Sequence, residues 1–213
     1  MHEPVSHPPG EREEPPEGLE GLVALARGGD RAAFAALFHH YNARICTYLT
    51  RLTGNRELGR DLAQDTFLSA WRALPGMPAD LRFEPWLYRI ATNTARSHQR
   101  RARLIAWLPW AQDEGTRPHA TQAGPEERAG ETERVTLALA QLAPRCRACL
   151  LLQVEGGFSQ REIAELLGIS EKSVSAYVSR GRERFRQAYA ALENESERAP
   201  EPERARENGG ADR

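Results

Sequence analysis

The chain has 213 residues, 40% of them hydrophobic, which is enough for one domain or two small ones with real cores. Its formal net charge of -1 hides a segregation: the stretch through Glu20 and the tail beyond Leu192 are acidic, while Arg82 to Arg103 and Lys172 to Arg186 are basic, a pattern suited to nucleic-acid binding with tails that limit nonspecific contact. Three cysteines (Cys46, Cys146, Cys149) exclude a disulfide framework and point to a reducing compartment. The opening MHEPVSHPPGEREEPPEG lacks an apolar core, and no apolar run reaches bilayer length, so the expectation is a cytoplasmic protein without direct membrane insertion.

Residues 1–17 are rich in Pro, Glu and Gly and read as a disordered tail. Leu19, Leu22, Val23 and Ala26 then predict a first helix that stops at Gly28-Gly29. Asp30 is placed to cap a second, in which Phe34, Leu37, Phe38, Tyr41, Ile45, Leu49 and Leu52 recur at helical spacing. Gly54 closes it and Asn55 caps a third. In that third helix Asp61, Gln64, Asp65 and Leu68 share one face with Glu57 and Arg72, while Leu58, Leu62, Ala70, Trp71 and Leu74 fall mostly on the other. An acidic stripe with one leucine is either an ordinary solvated face or a docking face for a basic partner helix.

Pro75-Gly76-Met77-Pro78 is a turn-rich loop, and a fourth helix follows from about Phe83 to Arg103. Along it Arg89, Asn93, Arg96, Arg100 and Arg103 recur every three or four residues as a single ridge, opposite Phe83, Leu87, Ile90 and Thr94. Arginines near a helix C-terminus complement its dipole. A ridge this regular, with Asn included, also suits phosphate contacts plus one polar group able to reach a base. Phe83, Trp86 and Tyr88 stand at the start of the ridge, where core packing or base stacking would use the same residues.

Periodicity dissolves from Leu104 to Glu131, which reads as a linker, although Leu104 to Trp110 is apolar enough to dock on something. It resumes at Val135, Leu139 and Leu142, then at Leu150, Leu151 and Val154. Two further helices are predicted at about 159–167 and 170–192. Ser159 and Glu162 form a capping-box pattern, Ala164 is small enough to let a second helix cross closely, Gly168 turns the chain, Ile169 plugs the turn, and Ser170 caps the last helix. There Val174, Val178, Gly181 and Phe185 share a core face. Lys172, Ser173, Ala176, Ser179 and Arg180 point away, with Ser175 and Tyr177 on the flanks. Small and basic side chains on such a face are what a major groove admits.

Other patterns are weaker. Cys146-x-x-Cys149 has metal or redox spacing, but no third ligand follows it, so buried thiols are the default. His39-His40 has no partner motif. No phosphate loop, nucleophile elbow or paired-carboxylate constellation is present, so neither a catalytic residue, a metal nor a cofactor is expected. The whole reads as all-α, two small helical domains joined by a flexible linker: an acidic tail (1–17), a first domain (18–103), the linker (104–131), a second domain (132–192) with its helix-turn-helix over 159–182, and a second acidic tail (193–213).

In this order the motifs resemble an extracytoplasmic-function sigma factor, the smallest group of the bacterial sigma-70 family. Asp61 to Phe67 is similar to the family's region 2.2, Phe83 to Asn93 to its regions 2.3 and 2.4, and Ser159 to Arg182 to its region 4.2. The resemblance implies a non-enzymatic initiation factor that binds core RNA polymerase through its β′ and β subunits and recognises promoter DNA. It also implies an anti-sigma partner and a monomer when free. By that resemblance Asp61, Gln64, Asp65 and Leu68 hold the polymerase. Trp86, Arg89, Asn93, Arg96 and Arg100 hold the minus-ten strand, and Lys172, Ser173, Ser175, Ala176, Ser179 and Arg180 address the minus-thirty-five groove. The chain departs from the family pattern at Ser97, at Ser175, Ala176 and Ser179, and at Pro85, which a helix tolerates only in its first turn. A conventional helix-turn-helix regulator is the alternative, but it leaves the acidic stripe and the Arg ridge without a role.

Overall fold

The computed structural model describes residues 18–78, 80–105 and 127–198. Among them the chain forms α1 (Leu19–Arg27), α2 (Arg31–Thr53), α3 (Arg56–Ala73), a single 3-10 turn (Leu74–Gly76), α4 (Phe83–Ile105), α5 (Glu127–Ala140), α6 (Pro144–Val154), α7 (Gln160–Leu167) and α8 (Glu171–Arg198), with no strand. The local signals act where the sequence places them. Asp30 Oδ1 accepts from the amides of Ala32 and Ala33 at 2.8 and 3.0 Å, and Asn55 Oδ1 from that of Leu58 at 3.0 Å. Gly54 and Gly168 end α2 and α7 with φ of +74° and +66°, a left-handed conformation costly for residues with a Cβ. Pro85 is the third residue of α4, where its missing N–H leaves no intrahelical bond unmade.

The first domain packs α1–α4 around Leu37, Ile45, Tyr48, Leu49, Leu74 and Leu87, all fully buried. Helices α2 and α3 approach so closely that a Cβ on Gly59 would lie 2.7 Å from the Thr50 Cα. One polar chain crosses this core. Thr92 donates its hydroxyl to the Tyr88 carbonyl at 2.8 Å, leaving Tyr48 to donate its phenol to Thr92 Oγ1 at 2.8 Å. The Tyr48 phenol and the Thr92 hydroxyl are thereby both satisfied inside the core. The second domain wraps α5–α7 around α8, with Cys149, Leu152, Ile163 and Val174 at its centre.

The structure differs from the sequence expectation at several points. Helix α4 runs to Ile105, α5 already begins at Glu127, and α8 continues to Arg198. The buried side of α4 carries Tyr88, Thr92 and Ala95, whereas Ile90 and Thr94 are half-buried. The two domains also share one apolar cluster: α2 packs on α5 and α6, and α4 on α7. The expected disorder of the tails falls outside the described residues for 1–17 and 199–213, while 193–198 are helical; the expected docking of Leu104 to Trp110 concerns side chains outside the described ones.

Candidate polymerase and nucleic-acid interfaces

Helix α3 buries Leu62, Ala63, Thr66, Phe67 and Ala70, and this forces the acidic stripe outward. Asp61, Gln64, Asp65 and Leu68 are all exposed, and Leu68 keeps 48% of its surface in solvent. Among the described residues neither Asp61 nor Asp65 is engaged in an ion pair. The back of the helix is braced by rings: Phe38 meets Phe67 at 4.8 Å and Phe34 meets Trp71 at 4.9 Å. The result is a rigid surface of two carboxylates, one amide and one leucine, free to meet a basic, partly apolar partner.

Helix α4 presents its ridge in the same way. Arg89, Asn93, Arg96 and Arg100 are exposed, while Leu87, Tyr88, Ala91, Thr92 and Ala95 face inward. At 1.5 Å per residue, Arg89 to Arg100 covers about 17 Å of helix surface. The Arg103 side chain lies outside the described ones. Trp86 departs from the expectation of DNA contact: it is 6% exposed, and its ring packs 5.7 Å from that of Phe83, which in turn meets Tyr41 at 5.5 Å. Position 86 falls on the inward side of the helix, so the indole supports the ridge from behind and offers no face for stacking. Before the helix, Leu74 and Met77 are buried anchors, and Pro75, Gly76, Pro78, Asp80 and Leu81 stand exposed beside the ridge's N-terminal end.

The helix-turn-helix is built from its caps inward. The Ser159 amide donates to Glu162 Oε2 at 2.9 Å and the Glu162 amide donates back to Ser159 Oγ at 3.3 Å. Gly168 reverses the chain, and Ser170 Oγ accepts from the Ser173 amide at 3.2 Å. Val174 and Val178 are buried, and Gly181 lets α6 approach, since a Cβ there would lie 3.2 Å from the Cys146 carbonyl oxygen. Lys172, Ser175, Ala176, Ser179 and Arg180 are exposed on the far side. Ser173 is half-buried and its hydroxyl lies 2.8 Å from that of Ser170, so part of its hydrogen-bonding capacity serves the cap.

One residue beside this face escaped the sequence reading. Arg145, from α6, extends to the Tyr177 hydroxyl at 3.4 Å. Arg180 lies over the Tyr177 ring at 5.0 Å and donates from Nε to the Ala176 carbonyl at 3.2 Å. Tyr177 thus gathers two cations from different helices at one edge of the exposed α8 face. No sequence periodicity could have joined Arg145 to α8, because the pairing depends on how α6 and α8 cross. Cys146 and Cys149 are core residues, and burial, with Cys146 adding to it, pushes the Cys149 thiol up to about 11. A protonated thiol is a poor metal ligand, and among the described residues no three His, Cys, Asp or Glu side chains are grouped to hold an ion.

Known proteins share this arrangement. Family models for sigma-70 region 2 and sigma-70 region 4 match residues 37–105 and 132–185. The RNA polymerase sigma factor CarQ of Myxococcus xanthus is 35% identical over 170 residues, covering 79% of this chain and 96% of that protein. The ECF RNA polymerase sigma factor SigG of Mycobacterium tuberculosis is 31% identical, over 71% of this chain and 47% of its own. Among solved structures, that of CnrH in complex with the cytosolic domain of CnrY superposes with a TM-score of 0.62 at 27% identity, covering 82% of this chain and 99% of that one. CnrH itself, an RNA polymerase sigma factor of Cupriavidus metallidurans, is 32% identical over 186 residues, 83% of this chain and 95% of that one. With both family modules in order on two helical domains, the chain belongs to the sigma-70 family, in its extracytoplasmic-function group, and directs promoter-specific transcription initiation.

Proposed function

We propose a division of labour among three faces. The α3 face of Asp61, Gln64, Asp65 and Leu68 docks on a basic helical surface of the polymerase β′ subunit. The α4 ridge of Arg89, Asn93, Arg96 and Arg100 holds the minus-ten strand. The α8 face of Lys172, Ser173, Ser175, Ala176, Ser179 and Arg180 enters the minus-thirty-five groove. The observation that carries this reading is common to all three. Each set, apart from the half-buried Ser173, is exposed on a helix whose opposite side is buried, so its chemistry is available without disturbing the fold.

The chain carries out no catalysis of its own in this reading and acts in the cytoplasm, where the polymerase is. Among the described residues no helix is long and apolar enough to cross a membrane. An anti-sigma factor is a further proposed partner, by similarity to the complex of CnrH with the cytosolic domain of CnrY.

Asp65→Arg tests the docking face. The side chain lies away from the apolar contacts, so helicity and melting temperature should stay within the range of surface substitutions. Affinity for core polymerase should fall by about 2 kcal/mol or more if the partner surface is basic. A pull-down showing parental affinity with the fold intact would remove α3 from the interface.

A further inference from the structure

The arginines around α8 differ in what holds them. Arg161 and Arg186 lie 3.3 and 3.1 Å from the carboxylates of Glu165 and Glu183. Arg182 and Arg184 donate to the side-chain amides of Gln153 and Gln141 at 3.0 and 3.3 Å. Arg145 and Arg180 are exposed, and among the described residues neither has a carboxylate partner. They share a phenol instead. Arg145 donates from Nη1 to the Tyr177 hydroxyl at 3.4 Å, and the Arg180 guanidinium lies over the Tyr177 ring at 5.0 Å from its centroid.

This leaves a group of donors without an acceptor. The Arg145 Nε and Nη2 meet no acceptor among the described residues. A hydroxyl oxygen that accepts from Arg145 keeps its own proton to give away. Arg180 commits Nε to the Ala176 carbonyl at 3.2 Å, which fixes its plane on the ring. A guanidinium fork beside a neutral O–H suits the two non-bridging oxygens of a phosphodiester, and the fork matches them in a way that a point charge cannot.

The position of Tyr177 says which phosphodiester. Val174 and Val178 mark the buried side of α8, Ala176 and Arg180 the exposed side, and the half-buried Tyr177 falls between them. An α-helix with its side chains is about 10–12 Å across and a major groove about 12 Å wide. The flank of an inserted helix therefore meets the walls of the groove, and those walls are phosphate backbone. Arg145 arrives at this flank from α6, outside the helix-turn-helix formed by α7 and α8. On the α8 face itself Ser175, Ala176 and Ser179 are short and neutral, so Lys172 and Arg180 are its only cations.

We propose that Arg145 and Tyr177 form a phosphate clamp: with α8 in the minus-thirty-five groove, they hold one phosphodiester of the backbone bordering it, while Arg180 pins the ring. The clamp rests on the reading of α8 given above. Its test uses holoenzyme assembled from core polymerase and the full chain, with a labelled duplex from which the parental holoenzyme initiates, read by fluorescence anisotropy. Arg145 is exposed in the first turn of α6, so Arg145→Ala should keep helicity and melting temperature within the range of surface substitutions. It should lower the slope of log affinity against log salt by about 0.9 and weaken binding about three- to tenfold at low salt. That loss should be the same on duplexes altered at single minus-thirty-five base pairs, because phosphates carry no sequence. Arg145→Lys should keep the slope and recover part of the affinity. In a Tyr177→Phe background Arg145→Ala should cost less than it does in the parent, since the two side chains act on one group.

Duplexes with one phosphate at a time replaced by a neutral methylphosphonate locate the partner. At one position beside the minus-thirty-five element the replacement should weaken the parent and leave Arg145→Ala unaffected. A parental salt slope in folded Arg145→Ala, strictly additive losses with Tyr177→Phe, or the absence of such a phosphate would each overturn the clamp. If Lys172→Ala and Arg180→Ala weaken binding while Arg145→Ala does not, the clamp alone falls. If all three bind as the parent does and no phosphate beside the element matters, α8 is not in the groove, and the reading of α8 falls together with the clamp.

Discussion

Gly59→Ala places a single methyl group where two backbones touch, and the cost follows from distances. Gly59 lies in the first turn of α3, and the new Cβ would stand 2.7 Å from both the Cα and the amide nitrogen of Thr50 in α2. Carbon atoms pack best at about 3.5–4.0 Å, so the two helices must separate locally by about 1 Å. The neighbour is backbone, which cannot rotate away as a side chain would. Alanine returns about 1 kcal/mol of helix propensity relative to glycine, while overpacking of a close-packed site costs about 1–3 kcal/mol and sometimes more. The clash dominates, because moving α3 also loosens Leu62, Ala63 and Phe67 from the core. A net loss of about 1–2 kcal/mol corresponds to a melting temperature lower by about 2–8 °C for a folding unit of this size. Thermal melts followed by circular dichroism, with urea titration as a second measure, read this directly. A variant as stable as the parent, or more so, would refute the close α2–α3 approach.

The remaining predictions concern DNA and pH. Arg96→Ala or Arg100→Ala should weaken binding to all minus-ten sequences and lower the salt dependence by a slope of about 0.7 per lost contact on single strands, measured by fluorescence anisotropy. Exchanging Gly76–Asp80 for another factor's loop should change base preference and leave that slope alone; the reverse pattern would refute the split between phosphate ridge and base-reading loop. Lys172→Ala and Arg180→Ala should each weaken recruitment to promoters with a minus-thirty-five element by about 1–3 kcal/mol if bases are contacted, and parental initiation by both would exclude α8 as the reader. The Cys149 thiol, raised by burial from 9.0 to about 11, stays protonated in the folded chain while the unfolded chain ionises first. Its contribution is complete below pH 9 and is lost as pH rises from 9 to 11, by about 2–3 kcal/mol. Cys149→Ala should flatten that part of an alkaline stability profile, and an unchanged slope would mean the thiol is not held in a low-dielectric site.

What the sequence determined by itself is what depends on neighbours within about one helical turn. Asp30, Asn55 and Ser159 start helices because each side chain reaches an amide two or three residues on. Gly54 and Gly168 stop them because only local backbone sterics are involved. The three exposed faces were legible for the same reason: helical periodicity sorts side chains to opposite sides whatever they pack against. Their roles came from a resemblance that periodicity alone could not have supplied.

Tertiary structure decided whatever joins residues far apart in the chain. Nothing in the local pattern says whether Trp86 faces core or solvent at the margin of an amphipathic helix; its packing on Phe83 and the core of the first domain settles it. Arg145 came to lie beside Tyr177 through the crossing of α6 and α8, and a side chain at position 59 became costly through that of α2 and α3. Arg51 and Glu155 each read as an ordinary surface charge until the fold brings them to 2.6 Å across a partly buried interface. Local hydrogen bonds and steric preferences are encoded wherever their residues stand, whereas close packing and charge compensation exist only once separate elements share the same space.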